Sequence, residues 1–132
     1  MPTEAQWEYA ARGGQLRGEY NYAGSNKLKE VGWYDQNSHS ETKDVGLKIP
    51  NELGLYDMSG NVWEWCADNW HTDYKGAPQD GSAWEGGDSA FRVLRGGSWF
   101  NLAVSCAVAY RFNNHPDGDY NNIGFRLVFL LV

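Results

Sequence analysis

The chain has 132 residues, the length of a single domain, so no second domain is expected. Seventeen acidic against eleven basic side chains give a net charge of −6, which disfavours the phosphate backbone of a nucleic acid as a partner. No apolar run reaches the roughly 18 residues of a membrane span, and the N-terminal segment lacks the charged and apolar blocks of a signal peptide. The sequence therefore predicts neither nucleic-acid binding nor membrane insertion, and leaves localisation open.

Aromatic residues and glycine dominate the composition. Aromatic side chains make up 15% of the chain, yet 16 glycines and many Asn and Asp residues separate them, and the mean hydropathy is −0.63. This mixture is typical of an aromatic core wrapped in irregular backbone. Only Cys66 and Cys106 are present, too few for a disulfide scaffold and without metal-binding spacing. They form either one bridge or two buried thiols.

The N-terminus predicts a helix. Thr3 and Gln6 have the spacing of a capping box, in which each side chain caps the backbone of the other residue. Gly13 and Gly14 provide a left-handed stop. The apolar face of this helix is predicted to comprise Ala5, Trp7, Tyr9 and Ala10.

Between residues 16 and 48 no hydrophobic period lasts, which indicates a long loop with short strands, one of them at residues 31–34. Residues 62–66 alternate strictly and predict a strand with Trp63 and Trp65 on one face. A turn at residues 57–61, with Gly60 at a positive backbone angle, leads into it. Residues 72–87 read as a surface loop, and further strands are expected at residues 91–94 and 123–129.

Three ordered blocks carry a family resemblance. They are PTEAQWEYAARGG at residues 2–14, GLYDMSGNVWEWCADNW at 54–70, and RVLRGGSWF, YRFNNHPD and IGFRLV within 92–128. Together they resemble the formylglycine-generating-enzyme family, also called the sulfatase-modifying-factor domain. The resemblance implies an α+β, C-type-lectin-like fold with short antiparallel strands, one or two helices and extensive loops. Residues 1–132 would form one such domain, truncated at its N-terminus relative to the family.

The family has members of several kinds, so function must be argued from sites. Its copper- and oxygen-dependent oxidases need a close pair of cysteines after GGS, where this chain has Cys106 alone. Its sulfoxide synthases use a histidine cluster from an extra domain, whereas His39, His71 and His115 are dispersed. A cysteine-dependent oxidase acting through Cys106 with Cys66, or an inactive remnant of one, is the alternative function.

The C-terminal third most resembles the variable proteins of diversity-generating retroelements. In those systems template adenines are copied with errors, so asparagine codons are rewritten, but never to Trp, Lys, Glu, Gln or Met. These five types supply twenty-six of the first ninety-nine residues and none from Phe100 onward. Unmutated template codons would account for Asn101, Asn113, Asn114, Asn121 and Asn122. An ordinary Asn-rich loop followed by an apolar strand is the competing explanation.

The resemblance assigns residues 92–128 as the candidate variable region of a non-catalytic binding protein that requires no cofactor. Within this region one set matches the family framework, namely Trp99, Cys106, Ala109, Arg111, Pro116, Ile123, Gly124, Phe125 and Arg126. The buried scaffold is expected to comprise Trp63, Trp65, Trp99, Phe125, Gly96 and Gly97. The predicted ligand-binding set, projecting to solvent, is Phe100, Asn101, Leu102, Val104, Ser105, Val108, Tyr110, Phe112, Asn113, Asn114, Gly118, Asp119, Tyr120 and Asn122. For Val104 and Val108 an ordinary core role is equally consistent.

The expected partner is a protein or another cell-surface ligand, because apolar side chains rimmed by Asn and Asp have the composition of a protein-binding centre. A homo-oligomer is a second expectation. Open sheet edges favour strand pairing between copies, and the apolar residues 129–132 would take part in it.

The family resemblance also implies a calcium site in the turn GLYDMSGNVWEW. Carried over by position, the ligands would be Asp57, Gly60, Val62 and Glu64, through two carboxylates and two backbone carbonyls. Such oxygens suit a hard cation. The alternative is that Asp57 caps the turn and Glu64 pairs with an arginine, namely Arg92, Arg95 or Arg111.

Overall fold

The computed structural model describes residues 1–131. Its elements in chain order are helix α1 at Glu4–Ala11, a 3₁₀ turn at Gly14–Leu16, helix α2 at Leu28–Val31, strand β1 at Trp63–Trp70, strand β2 at Asp88–Arg95, a 3₁₀ turn at Ala103–Cys106, strand β3 at Arg111–Asn114 and strand β4 at Ile123–Gly124. Loops connect these elements over much of the chain, as expected from the glycine-rich composition. None of the helices among residues 1–131 has the length and apolar character to cross a membrane.

The capping box of α1 is confirmed. The Gln6 amide donates to Thr3 Oγ1 at 3.2 Å, and the Thr3 amide donates to Gln6 Oε1 at 3.0 Å. Gly13 follows the helix with φ of 100°, which only glycine adopts without strain. The predicted apolar face is wrong in part: Trp7 is buried, but Tyr9 and Ala5 are exposed. The helix packs through Trp7 and Ala11, four residues apart on one side.

The four strands form one sheet in the order β3-β2-β1-β4. β1 and β2 are antiparallel with Glu64 opposite Arg95, β2 and β3 are antiparallel, and β4 joins β1 in parallel. The strands predicted at residues 62–66 and 91–94 are confirmed and extend further than predicted. Two predictions are wrong: residues 31–34 contain the end of a helix, and the strand predicted at 123–129 ends after Gly124.

The core lies between α1 and the sheet. One buried cluster contains Trp7, Ala11, Met58, Cys66, Val93 and Val108, with Ala23, and a second contains Leu28, Val31 and Cys106. The two cysteines lie in separate clusters as free thiols, so no bridge joins them. Of the expected scaffold, Trp63 and both glycines are buried, Trp65 and Trp99 are half-buried, and Phe125 is 64% exposed. The expectation for Phe125 is wrong because it follows the end of β4, in a segment without regular secondary structure that is mostly exposed.

Candidate ligand-binding surface

A loop of fifteen residues, 96–110, connects β2 to β3, and we call it the display loop. Five large apolar side chains on this loop and on β3 are between 38% and 69% exposed. They are Phe100, Leu102, Val104, Tyr110 and Phe112, and we call them the display surface. Trp63 on β1 underlies part of it, since its ring lies 5.3 Å from that of Phe112 and 6.1 Å from that of Tyr110, centroid to centroid. Exposed apolar side chains that form a contiguous patch often mark a binding site.

The display loop starts with a glycine pair that brings two backbone segments together. Gly96 and Gly97 have φ of 101° and 70°. A Cβ on Gly97 would lie 2.5 Å from Cys106 Sγ and 2.8 Å from the Ser105 carbonyl oxygen. Because no side chain fits there, the pair fixes how closely the start of the loop approaches its 3₁₀ turn.

Main-chain hydrogen bonds hold the first half of the loop. The Trp99 amide donates to the Asn61 carbonyl at 2.8 Å, and the Asp35 amide donates to the Asn101 carbonyl at 3.0 Å. The Ser38 hydroxyl donates to the Trp99 carbonyl at 2.8 Å. Every residue type except proline offers both main-chain groups, so these anchors do not depend on which side chains the loop carries.

Arg95 holds the second half of the loop in the same way. Its fully buried guanidinium donates to the carbonyls of Val108 and Tyr110, the latter at 2.9 Å. It also pairs with Glu4 at 3.0 Å and with Glu8 at 2.5 Å. Helix α1 therefore positions the loop backbone through one arginine.

Two carboxylates, those of Glu4 and Glu8, surround Arg95. Burial alone would raise the pKa of Glu8, but hydrogen bonds and charges from Arg95 and Arg12 outweigh it, so the pKa lies below its ordinary value. Glu4 also accepts from Arg111, whose Nε and Nη2 atoms lie 2.6 and 3.0 Å from the two carboxylate oxygens. This paired network compensates the charges that α1 buries against the sheet.

The structure divides the predicted ligand-binding residues by exposure. Those exposed are Phe100, Leu102, Val104, Tyr110, Phe112, Gly118 and Asp119, and those half-buried are Asn101, Asn113, Asn114, Tyr120 and Asn122. Some half-buried members have local structural contacts: Asn114 Oδ1 accepts from the Tyr120 hydroxyl at 2.7 Å, and Asn101 accepts from the Ser98 hydroxyl.

Two predicted members do not project to solvent. Val108 is 2% exposed and belongs to the core cluster under α1, and its amide donates to the Asn21 carbonyl at 2.9 Å. Ser105 is 9% exposed within the 3₁₀ turn, where it packs against Gly97. Asn113 lies on the face of β3 opposite Phe112, because adjacent strand residues alternate. The expectation that Ser105 and Val108 project to solvent is wrong, and Val108 has the core role that the sequence left open.

Sequence reasoning missed Arg95 as the residue that positions the loop. The signal was a charged residue that follows the apolar pair Val93 and Leu94 and directly precedes a glycine pair. It also missed the partner of Glu64, which is Arg126, at 2.7 Å, and not Arg92, Arg95 or Arg111. Arg126 follows the end of β4, and β4 pairs with β1, the strand that carries Glu64.

The expected calcium ligands lie in the turn before β1 and, for Glu64, on β1 itself. Asp57 Oδ2 accepts from the Gly46 amide at 2.9 Å, whereas Asp57 Oδ1 is buried with no hydrogen-bond partner. Glu64 Oε1 accepts from Trp7 and Arg126, and Oε2 accepts from Arg126 at 2.8 Å. A cavity of about 400 Å³ borders Asp57, Val62 and Glu64.

Asp57 Oδ1 is the one charged oxygen of this set without a partner, and a hard cation would take it as a ligand. Both oxygens of Glu64 already accept from Arg126, so Glu64 would share its carboxylate between the arginine and the ion. Among residues 1–131 no group of three or more His, Cys, Asp or Glu side chains converges, so backbone carbonyls, those of Gly60 and Val62, would complete the set. Carboxylate and carbonyl oxygens together are the ligands that calcium prefers.

Both thiols are chemically quiet in this structure. Burial raises the pKa of Cys106 to about 12, with a contribution from the charge of Asp35. Burial also raises the pKa of Cys66 well above its ordinary value, although Arg95 acts in the opposite direction. Since the thiolate is the reactive form, neither cysteine is activated as a nucleophile by its protein surroundings.

The architecture is that of a small α+β protein in which a curled sheet presents a long loop, and it corresponds to the C-type-lectin-like fold of the formylglycine-generating-enzyme type. Residues 1–130 match the sulfatase-modifying factor enzyme 1-like domain. The chain belongs to this family, and the resemblance drawn from its sequence blocks is confirmed.

Relatives in this family include both active and inactive proteins. The formylglycine-generating enzyme of Streptomyces coelicolor is 38% identical over 96% of this chain and 45% of its own length. The inactive C-alpha-formylglycine-generating enzyme 2 of Bos taurus is 37% identical over 96% of this chain and 42% of its own length. This chain thus spans less than half the length of either relative.

A solved structure supports the resemblance to variable proteins. Treponema denticola variable protein 1 superposes with a TM-score of 0.79 at 42% identity, covering 95% of this chain and 45% of that one. Membership of the family is therefore compatible with a chain that has no enzymatic activity.

Proposed function

We propose that this protein is a non-catalytic ligand-binding protein whose display surface recognises a protein or another cell-surface ligand. The observation that carries the proposal is the separation of backbone from side chains in the display loop. Arg95, Asn61 and Ser38 hold main-chain atoms, while the five apolar side chains of the display surface remain exposed. Loops positioned by a rigid scaffold are the usual place for variable recognition.

The same separation supports diversification of the loop. A segment held through carbonyls and amides tolerates replacement of its exposed side chains, since the anchors are present for almost any residue. The absence of five residue types from Phe100 onward agrees with templated mutagenesis of asparagine codons. The resemblance to a variable protein points in the same direction.

A selected peptide tests the proposal. Random peptides displayed on phage are selected against the immobilised chain, and one enriched peptide is titrated against a variant with Phe100, Leu102, Tyr110 and Phe112 replaced by alanine. We expect binding to be lost with little change in melting temperature, because these side chains are exposed.

The matched control replaces four apolar residues exposed elsewhere, namely Val45, Leu47, Ile49 and Leu53. This variant should bind the peptide like the wild type. Equal binding by both variants, or a large loss of stability in the first, would refute the proposal. The oxidase alternative predicts oxygen uptake with copper and a cysteine peptide that Cys106→Ser abolishes, whereas the binding protein should show none.

We also propose that the turn before β1 holds a structural calcium ion. The buried, unpartnered oxygen of Asp57 supports this, because a buried carboxylate oxygen without a partner costs stability that a cation would recover. Calcium should raise the melting temperature of chelator-treated protein, and magnesium should not. Asp57→Asn should abolish the increase, and Asp44→Asn, an exposed neighbour, should retain it. An unchanged melting temperature on adding calcium would contradict the site.

Self-association is the third element of the proposed function. We define the apolar tail as residues 125–131, of which Phe125, Leu127, Val128, Phe129, Leu130 and Leu131 are between 42% and 99% exposed. Val132, the last residue of the predicted interface segment, lies outside the described residues. The tail follows β4 at one edge of the sheet, so a second copy can pair with it.

A further inference from the structure

A separate cavity of about 470 Å³ lies beside the C-terminal end of β1 and the N-terminal end of β2. Its floor includes Trp70, Phe91 and Asn113. Phe91 and Asn113 lie on the face of the sheet that also carries Val93, since strand residues alternate and Val93 is opposite Asn113. The cavity is therefore on the opposite face of the sheet from Phe112, and nothing in the display surface accounts for it.

The wall of the cavity is a pair of stacked aromatic rings. His71 and Trp84 lie parallel, with centroids 3.6 Å apart and an interplanar angle of 2°. The backbone of Trp84 is pinned at both ends, because its amide donates to Asp68 Oδ2 at 2.9 Å and its carbonyl accepts from the Asn69 amide at 3.0 Å. The aromatic lining is thus held in place before any ligand binds, and the ordering cost of binding is low.

Two carboxylates stand on the rim. Asp73 Oδ1 accepts from the Lys75 amide at 2.9 Å, and Asp88 Oδ1 accepts from the Ala90 amide at 3.1 Å. Each carboxylate is fixed by its own turn and keeps a second oxygen toward solvent, because both residues are exposed.

The cavity has fewer cationic than anionic side chains at its rim, and the nearby arginine is paired with a carboxylate. Among the described residues that line the cavity, Lys75 is the only Lys or Arg. The guanidinium of Arg111 is paired with Glu4 and lies 4.6 Å from the Trp70 ring centroid, so one face of Trp70 already carries a cation. The rim therefore carries a net negative charge, in a chain whose net charge is −6.

From this combination we infer that the cavity binds an organic ammonium group. Aromatic faces attract a cation through their quadrupole, and most strongly when it is a weakly hydrated quaternary ammonium. The carboxylates Asp73 and Asp88 supply the complementary charge. Concave sites lined by aromatic side chains with a few placed polar groups are the common form of small-ligand sites. The inference does not depend on the display surface.

Choline and its uncharged carbon isostere, dimethylbutanol, test the inference in the full chain. Tryptophan fluorescence should change saturably with choline, at a dissociation constant at least about tenfold lower than that for dimethylbutanol. The double variant Asp73→Asn and Asp88→Asn should weaken choline binding by about tenfold. Its turns are retained, because the asparagine oxygen accepts the same amide.

The control variant carries Glu19→Gln and Glu85→Gln, two exposed residues outside the cavity, and removes the same two charges. It should bind choline like the wild type. Equal affinity for choline and dimethylbutanol would overturn the inference. An unchanged affinity for choline in the asparagine variant would overturn it too. Loss of peptide binding in the display-surface variant bears only on the proposed function.

Discussion

Arg95 is the residue on which helix α1, the sheet and the display loop converge. Its guanidinium is fully buried and donates to two carboxylates and two carbonyls. The planar fork of arginine reaches all four groups at once, which a lysine ammonium cannot do with the same geometry. The position of the loop backbone therefore depends more on the identity of Arg95 than on the side chains that the loop carries.

Replacing Arg95 by methionine should be strongly destabilising. The change removes the buried partner of Glu4, leaves Glu8 with Arg12 alone, and leaves the carbonyls of Val108 and Tyr110 without this donor. Breaking a buried pair by removing one member costs about 3 kcal/mol or more. Urea denaturation followed by tryptophan fluorescence measures this loss of the free energy of unfolding.

The matched control is Arg12→Met. Arg12 pairs with Glu8 at 3.0 Å on the same helix, but both side chains are partly exposed, at 28% and 29%. Pairs of this kind contribute about 0.5 kcal/mol. Similar losses for the two variants would mean that Arg95 has only the role of a surface ion pair.

At the scale of elements, the sequence correctly predicted the features that depend only on residues close together along the chain. The capping box of α1, the alternation that became β1 and the positive φ of Gly60 are written within a few residues of sequence and are all confirmed. The prediction at residues 31–34 failed because apolar residues there pack a short helix against Cys106, a contact made through the tertiary fold.

In the candidate site, too, some features could be predicted from the sequence and others depend on the tertiary fold. Exposure of the display surface followed from composition and from the family resemblance, whereas the burial of Val108 depends on α1 lying over the loop. Arg126 pairs with Glu64 because β4 runs beside β1, a contact between residues 62 positions apart. No spacing rule in the sequence reports such a pairing.

At the scale of the whole molecule, the two faces of the sheet carry different surfaces. Phe112 of the display surface lies on one face, over the buried ring of Trp63, and the aromatic cavity with its two carboxylates opens on the other. The apolar tail leaves the sheet at its β4 edge, away from β3 at the opposite edge. A second copy paired through the tail would therefore leave β3 and its display residues free to bind a ligand.

This arrangement predicts a dimer that depends on the apolar tail. Phe129 and Leu131 are almost fully exposed, so replacing both with aspartate removes no buried contact within the chain. Like charges facing each other across a two-fold axis would oppose pairing. Light scattering should give a dimer mass for the wild type and a monomer mass for this variant, with an unchanged melting temperature below the dissociation concentration. The same change at Val45 and Leu47, exposed on another loop, should leave the dimer intact. A wild-type chain that remains monomeric at high concentration would rule the tail out as a dimer interface.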